Sequence, residues 1–426
     1  MPAYAPGLRP VTAILKIVGT VLLLLVILFG LAVTIVPRFL DRIYYRGDAS
    51  DHFDGERFHN PGVDDTGRPP TGGSRAGFFW NMLTRRDGRP AWPESVPVTP
   101  AAPSALLQPY MPPPVYAAAS PEEEAQTPMV ATWVGHATVL VQTPGLNILT
   151  DPIWSDRTGP FGRGPRRVAA PGIRFDDLPK IDVVLLSHNH YDHLDLPTLK
   201  RLWARDKPLI VTSLGNDAIL RANGIEARSA DWGQRIEIGT RAGVGPNSYS
   251  PNPVRVHVTR NHHWGSRWFT DRNRALWSSF TVTLPGGNLY FAGDTGLGDG
   301  KWPAEAAALG PVRLAIIPIG AFRFVPGQMT TGSHIGPADA VRVFSGLGAA
   351  TALPIHWGTF RLSYEGHDTP PRMLDLLMRC TGADPARFAA RGIGVPFQVP
   401  PVGSPAAVDT SKLDACLQSE AVRALP

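Results

Sequence analysis

An uncharged apolar run, Ile17 to Val36, stands near the start of the chain and is rich in leucine and valine. It is long enough to cross a bilayer as a helix. Arg9 and Lys16 precede it, and Pro37, Arg38, Arg42 and Arg46 follow. A cleaved signal peptide has a shorter apolar core ending at small residues, and no clear small-x-small site follows here, so the pattern predicts an uncleaved anchor. From Gly47 to about Pro128 the apolar periodicity fades into prolines, glycines and polar residues, including Pro112-Pro113-Pro114 and Glu122-Glu123-Glu124. That reads as a linker or extended arm. Phe53, Phe58, Phe78, Phe79, Trp80 and Trp92 punctuate it, so parts of it are expected to lie against a folded body.

Beyond Pro128 short apolar runs return. Ala131 to Gln142 alternates and carries β-formers, and Leu146 to Thr150 resumes after Pro144-Gly145, which predicts a hairpin. Strands are expected at Ile181–Leu186, Pro208–Ser213, Ile225–Arg228, Arg235–Ile238, Val254–Thr259, Leu314–Ile319 and Thr351–Ile355. Trp277–Leu284 and Asn288–Ala292 form a second hairpin around Pro285-Gly286-Gly287. Helices are expected at Leu196–Arg205, Asp217–Ala222, Pro337–Leu347 and Met373–Cys380. No internal repeat of about 20–50 residues recurs. The expected division is an anchor over residues 1–46 with its helix at about 17–36, an arm over 47–128, an α/β body over 129–400, and a tail over 401–426.

Composition narrows the class. Globular proportions hold, with 43% hydrophobic and 18% charged residues. The formal charge of +5 is a mild excess, without the basic stripe of a nucleic-acid binder. It suits an enzyme near an anionic membrane surface. Basic residues flank the apolar run on both sides, so the positive-inside rule gives no decisive asymmetry. The expectation adopted is a cytoplasmic N-terminal tail and an extracytoplasmic catalytic body. Cys380 and Cys416 could pair in an oxidising compartment.

The chemistry concentrates in Ser187-His188-Asn189-His190-Tyr191-Asp192-His193-Leu194-Asp195, directly after the apolar run Ile181–Leu186. Imidazole and carboxylate suit zinc and similar divalent ions. An extended His188-x-His190 puts two imidazoles on one side, with Asp192 and His193 a turn further on, a geometry able to feed two adjacent metals. Further ligand-type residues fall at later strand ends: Asn261-His262-His263-Trp264, Gly293-Asp294-Thr295-Gly296, and His356-Trp357-Gly358-Thr359, with His334 on a loop before the last. His136 and Asp151 stand at earlier strand ends, where they would orient ligands, and a structural histidine is an equal account of His136. The loop from Asp156 to Phe175 is rich in Gly, Pro and Arg. Its guanidinium groups fit phosphates, although a solvated basic loop has the same composition.

The spacing His188-x-His190-x-Asp192-His193 resembles the signature of the metallo-β-lactamase superfamily, whose fold is an αββα four-layer sandwich around one or two metals. Thr132 to Thr138, Leu149 to Pro152, Ser187 to Asp195, His263-Trp264, Phe291 to Gly296, Ile317 to Ala321 and Ile355 to Phe360 look like the N-acyl-phosphatidylethanolamine-hydrolysing phospholipase D family within it. The resemblance covers roughly Thr132 to Gly392. It implies two zinc ions per chain, one on His188, His190 and His263 and the other on Asp192, His193 and His356, with Asp294 bridging. His263 is chosen over His262 because the family's ligand directly precedes a tryptophan. Asp192 and Asp294 would serve catalysis through a metal-bound hydroxide, and His334 would contact the phospholipid head group. The implied reaction is hydrolysis of a membrane phosphodiester. The implied partners are a phospholipid and the bilayer, with a homodimer left open. A lactonase or other ester hydrolase of the superfamily competes, since the same centre attacks carbon or phosphorus. A membrane-tethered binding protein would have lost ligands, and here each station is filled.

Overall fold

The structure is a computed structural model that describes residues 8–39, 42–62, 64–66, 90–106, 125–238, 254–268, 270–325, 328–403 and 407–426. Thirteen strands among them form two sheets: β1 (Val130–Gly135), β2 (Thr138–Thr143), β3 (Leu146–Thr150), β4 (Val183–Leu186), β5 (Leu209–Ser213), β6 (Arg228–Ala230), β7 (Arg235–Ile238), β8 (Val254–Thr259), β9 (Ser279–Thr283), β10 (Asn288–Phe291), β11 (Val312–Pro318), β12 (Thr351–Ile355) and β13 (Phe397–Gln398). The first sheet has the order β13-β1-β2-β3-β4-β5-β6 and the second β12-β11-β10-β9-β8-β7. In each, antiparallel pairing gives way to parallel pairing, from β3 onwards in one and from β10 onwards in the other.

The apolar alternation explains the layering. In β4, Val183 and Leu185 enter the core between the sheets, where Phe280, Phe291 and Leu314 meet them. Val184 and Leu186 face the other way, onto Leu199 and Leu202 of helix α2 (Leu196–Asp206). An extended strand must divide its side chains this way, and burial on both faces accounts for a run that is apolar throughout. β11 does the same. Leu314 and Ile316 point inwards, and Ala315 and Ile317 pack with Val341 and Phe344 of α5 (Pro337–Gly346) and Leu374 of α6 (Thr369–Cys380). Two shorter helices, α3 (Asn216–Arg221) and α4 (Trp302–Ala307), complete these outer layers. The result is helices, sheet, sheet, helices.

Several elements differ from the sequence reading. Ala131–Gln142 is two strands, because Gly135 and His136 take φ of 135° and 53° and reverse the chain. The expected hairpin is therefore a three-strand meander. β6 begins only at Arg228, since Ile225 is buried in the outer helical layer instead of pairing. Residues 407–426 carry α7 (Leu413–Leu417) and α8 (Glu420–Arg423), whose Leu413 and Val422 pack into the outer layer, and Cys416 is joined to Cys380 of α6.

At the front, α1 (Leu8–Phe39) outruns the apolar stretch at both ends. Its segment Thr12–Ile35 has a mean hydropathy of 2.8 and is long and apolar enough to cross a membrane. The described part of the arm folds onto the body. Phe53 and Phe58 stack 4.6 Å apart and are buried with Trp277, and Trp92 Nε1 donates to the Glu365 carbonyl at 2.9 Å. Phe78, Phe79, Trp80, the triple proline and the triple glutamate lie outside the described residues.

Candidate metal centre

Four strands deliver the candidate ligands to one edge of the sandwich: β4 leads into Ser187–His193, β8 into Asn261–His263, β10 into Asp294, and β12 into His356. Backbone conformations that L residues rarely adopt gather here. His136, Asp151 and His356 have φ of 53°, 27° and 63°, and Ala321, close by in the turn after β11, has 59°. Gly293 is required by contact as well as by φ. A Cβ there would meet Ser187 Cβ at 2.7 Å, so the Asp294 turn can approach the histidine loop only without a side chain.

Two groups of donor atoms form. His188, His190 and His263 bring nitrogens within 4.8 Å of one another, and Asp192, His193 and His356 do the same with His136 added. His188 Nε2 is 2.7 Å from His190 Nδ1, which is 3.4 Å from His263 Nε2. Asp294 Oδ2 lies 3.1 Å from both His193 Nε2 and His356 Nε2, and 3.7 Å from His334 Nδ1. The structure thus brings His188, His190, Asp192, His193, His263, Asp294, His334 and His356 to one place. Between the neighbouring histidines, His262 turns away to Asp65 of the arm at 2.8 Å, while His263 faces the cluster.

Three of the rings are aimed by what holds their far side. Asp151 Oδ2 takes His193 Nδ1 at 2.6 Å, the Ser333 carbonyl takes His263 Nδ1 at 2.8 Å, and Ser187 Oγ sits 2.9 Å from His188 Nδ1. The nitrogens left over point inwards. His136 Nε2 lies 2.9 Å from Asp192 Oδ2, and the ring is anchored through its own backbone, whose amide donates to Thr359 Oγ1 at 2.8 Å.

Burial dominates the electrostatics. It pushes His136 and His190 down to about 3, His334 to about 4, and His188 and His263 well below the ordinary imidazole value. For His193 and His356 burial pulls the same way but is outweighed by Asp294 and Asp192, so His193 is held well up and His356 rises to about 9. Both carboxylates resist burial because these imidazoles face them, and they sit well below the usual range.

The donor set fits a divalent metal centre. His190 Nε2 and Asp294 Oδ1 are buried without a hydrogen-bond partner, and His193 Nε2 and His356 Nε2 have the Asp294 carboxylate opposite them. Unpaired buried polar atoms are costly, and several converging on one space are what a cation would satisfy. Residues of the arm were not legible as part of this arrangement. Asn60 donates to the His263 carbonyl at 2.8 Å and accepts from Trp277 Nε1 at 3.1 Å, and Ser333 Oγ donates to the Thr66 carbonyl at 3.2 Å. Nothing local to Asn60 or Thr66 signals contacts made some two hundred residues away.

A sandwich of two mixed sheets with histidines and aspartates at its strand ends defines a metal-dependent hydrolase scaffold. The model of a beta-lactamase superfamily domain matches residues 146–357. The chain belongs to the metallo-β-lactamase superfamily. It is 33% identical over 261 residues to N-acyl-phosphatidylethanolamine-hydrolyzing phospholipase D 1 of Caenorhabditis elegans, spanning 61% of this chain and 72% of that protein. It is 30% identical over 263 residues to the mitochondrial enzyme of that description from Saccharomyces cerevisiae, covering 61% and 54%. Among solved structures, Igni18, a metallo hydrolase of Ignicoccus hospitalis, aligns over 64% of this chain and 98% of its own with a TM-score of 0.48 at 18% identity.

Proposed function

We propose that the chain is a membrane-anchored, zinc-dependent phosphodiesterase that hydrolyses N-acyl-phosphatidylethanolamine-type phospholipids to phosphatidic acid. The observation that carries this reading is the convergence of buried imidazole nitrogens and carboxylate oxygens at one sheet edge, in a chain 33% identical to a worm enzyme named for that reaction. His188, His190 and His263 would hold one ion and Asp192, His193 and His356 the other, with Asp294 between them. Ions held there would lower the pKa of a bound water towards neutrality and offset charge developing on the phosphoryl oxygens.

The chain's own groups do the rest. Asp294 Oδ1, buried and without a partner, is placed to orient the attacking water. Asp192, fixed by His136, keeps its carboxylate turned into the centre. His334 stands at the lip of the site, and its free Nδ1 is available to a phosphate oxygen of the head group. Water adds to phosphorus and the bond to the N-acylethanolamine oxygen breaks, so phosphatidic acid and an N-acylethanolamine leave.

α1 serves as a single-pass anchor in this reading, and the Cys380–Cys416 bond supports an oxidising, extracytoplasmic side for the body. Two free thiols in protein purified without reductant would oppose that orientation. Metal content and a panel of phospholipids, other phosphodiesters and lactones, run on one full-chain sample, test the activity. Release of phosphatidic acid from N-acyl-phosphatidylethanolamine is expected. A zinc-loaded protein inactive on all phosphodiesters sinks the reading, and turnover of lactones alone selects the ester-hydrolase branch. Asp192→Ala and His193→Ala should each lose metal and turnover together.

A further inference from the structure

The body buries nearly all its large apolar side chains. Among the described residues outside α1, only Ile43, Phe161 and Val395 stand well exposed, and Phe161, at 85%, far exceeds the other two. Phe161 has a φ of 57°, a strained conformation for an aromatic residue, and follows Gly159-Pro160 and precedes Gly162. The ring is therefore presented at a cost in backbone energy while its area stays in water.

The loop that presents it is built. Thr158 N donates to the Pro165 carbonyl at 3.1 Å, Arg157 Nη1 to the Gly164 carbonyl at 2.9 Å, and Arg167 N to the Asp156 carbonyl at 2.9 Å, which closes residues 156–167 into a hairpin. Its base is tied to residues beside the metal centre. The Arg167 guanidinium is buried and donates to the Ser155 and Ile153 carbonyls at 3.1 and 3.0 Å, and Ser155 Oγ donates to Asp195 Oδ1 at 2.8 Å. Val168 N donates to the Thr359 carbonyl at 2.8 Å. Hydrogen bonds through Val168, Thr359 and His136 thus connect the hairpin to Asp192.

The same tip lies on the side where α1 meets the body. Just past the helix, Tyr44 donates to Asp271 Oδ2 at 2.7 Å. The Asp271 carboxylate also takes the Trp268 amide at 2.8 Å, and the Trp268 ring meets Phe161 edge-on at 6.5 Å between centroids. Charge favours one kind of surface. Arg157, Arg163 and Arg166 are exposed around the ring, against a single acid, Asp156, which pairs with Arg166 at 3.0 Å.

We propose that this hairpin is a second membrane contact, one that recognises anionic lipid. Phe161 seats at the boundary between head groups and acyl chains, and Arg157 and Arg163 take lipid phosphates, which turns the mouth of the metal centre towards the bilayer. The inference rests on the membrane reading of α1 given above and names the surface that completes it.

Because Cys380 and Cys416 are joined, Phe161→Cys in the full chain gives one reactive thiol for an environment-sensitive dye. The labelled protein is reconstituted into phosphatidylcholine vesicles with and without phosphatidylglycerol, beside a Glu226→Cys control on an exposed loop of the body. The dye at 161 is expected to emit at shorter wavelength than the control and to be quenched by lipids carrying a quencher on the acyl chain. Both effects should grow with phosphatidylglycerol, and Arg163→Glu should remove that growth. A dye at 161 that emits as from water in both vesicle types overturns the proposal. Insertion that is indifferent to phosphatidylglycerol overturns the role given to the arginines. The dye reports bilayer contact without turnover, so a protein that fails on every phosphodiester still yields a clear result here.

Discussion

His188, His190 and His263 form a station of three imidazoles, whereas Asp192, His193 and His356 mix a carboxylate with two imidazoles, and different chemistry holds each station in place. The first is braced by neutral groups, the Ser187 hydroxyl and the Ser333 carbonyl. The second is braced by ions and their partners: Asp151 behind His193, His136 against Asp192, and Asp294 3.1 Å from both imidazoles. Negative charge is therefore concentrated on one side of the centre. In the carboxylate station charged groups face one another, while the imidazole station stays neutral and buried. Substitutions should consequently not act alike on the two.

The largest effect is expected from Asp294→Ala, which removes a carboxylate that faces both stations. A centre of this kind contributes several kcal/mol of charge stabilisation, so turnover should fall on the order of a thousandfold, and metal content should drop below that of any substitution confined to one station. Metal analysis and turnover measured on the same preparation check this. Full metal occupancy in the variant would show that the stations do not share Asp294.

Asp151→Asn sharpens the contrast. The amide keeps the shape but not the charge behind His193, and loss of such a supporting group costs about 10–100-fold in metal affinity or activity. The carboxylate station should weaken while the imidazole station keeps its ion, leaving roughly half the metal of the parent. Ser187→Ala removes the neutral hydroxyl near both His188 and Asp151 and should do less. Equal losses in the two variants would erase the distinction drawn here.

How much of this the sequence showed depends on distance along the chain. The loop Ser187–Asp195 was legible because a short β-branched run feeds directly into closely spaced ligand types. His263, Asp294 and His356 were legible because each follows a strand and, at Asp294, a glycine that permits the turn. The layers followed from apolar runs too short for helices. His136 was legible as a group able to orient a ligand, but its turn was not: the strand alternates straight through Gly135, and the reversal at φ 53° is what lifts the ring to Asp192. The arm was harder still. Its composition announces a linker, yet Phe53, Phe58 and Asn60 are as buried as core residues. Its aromatics announced that parts of it would lie on the body, but not that the partners would be Trp277 and the His263 carbonyl.

That arm offers a milder test of the imidazole station. Asn60→Leu leaves the Trp277 N–H and the His263 carbonyl without the partner that now joins them, at an expected cost of about 1–3 kcal/mol. A lower unfolding temperature with a selective loss from the imidazole station is expected. An unchanged midpoint would mean that water replaces the amide and the arm is only draped over the site.

The smallest effect should come from pH acting on the clasp that docks the arm, remote from either station. His52 is buried, with Nδ1 2.6 Å from Asp51 and Nε2 2.8 Å from Asp231, and its ring stacks 4.6 Å from Trp232. Ser50 Oγ at 3.5 Å and the Phe58 ring are its other close neighbours. Burial would lower its pKa, yet the two carboxylates outweigh burial and raise it above the ordinary value. A raised folded-state pKa means the clasp stabilises fully below the unfolded value of about 6.5 and is lost as pH climbs through the folded value. Hydrogen exchange over residues 50–66 should therefore show protection, corrected for intrinsic rates, falling as pH is raised from about 6 into the alkaline range. His52→Gln should flatten that profile and leave metal content alone, because the ring touches neither station. A parent profile as flat as the variant's would show that the arm is held by Phe53, Phe58 and Asn60 without help from the ion pairs.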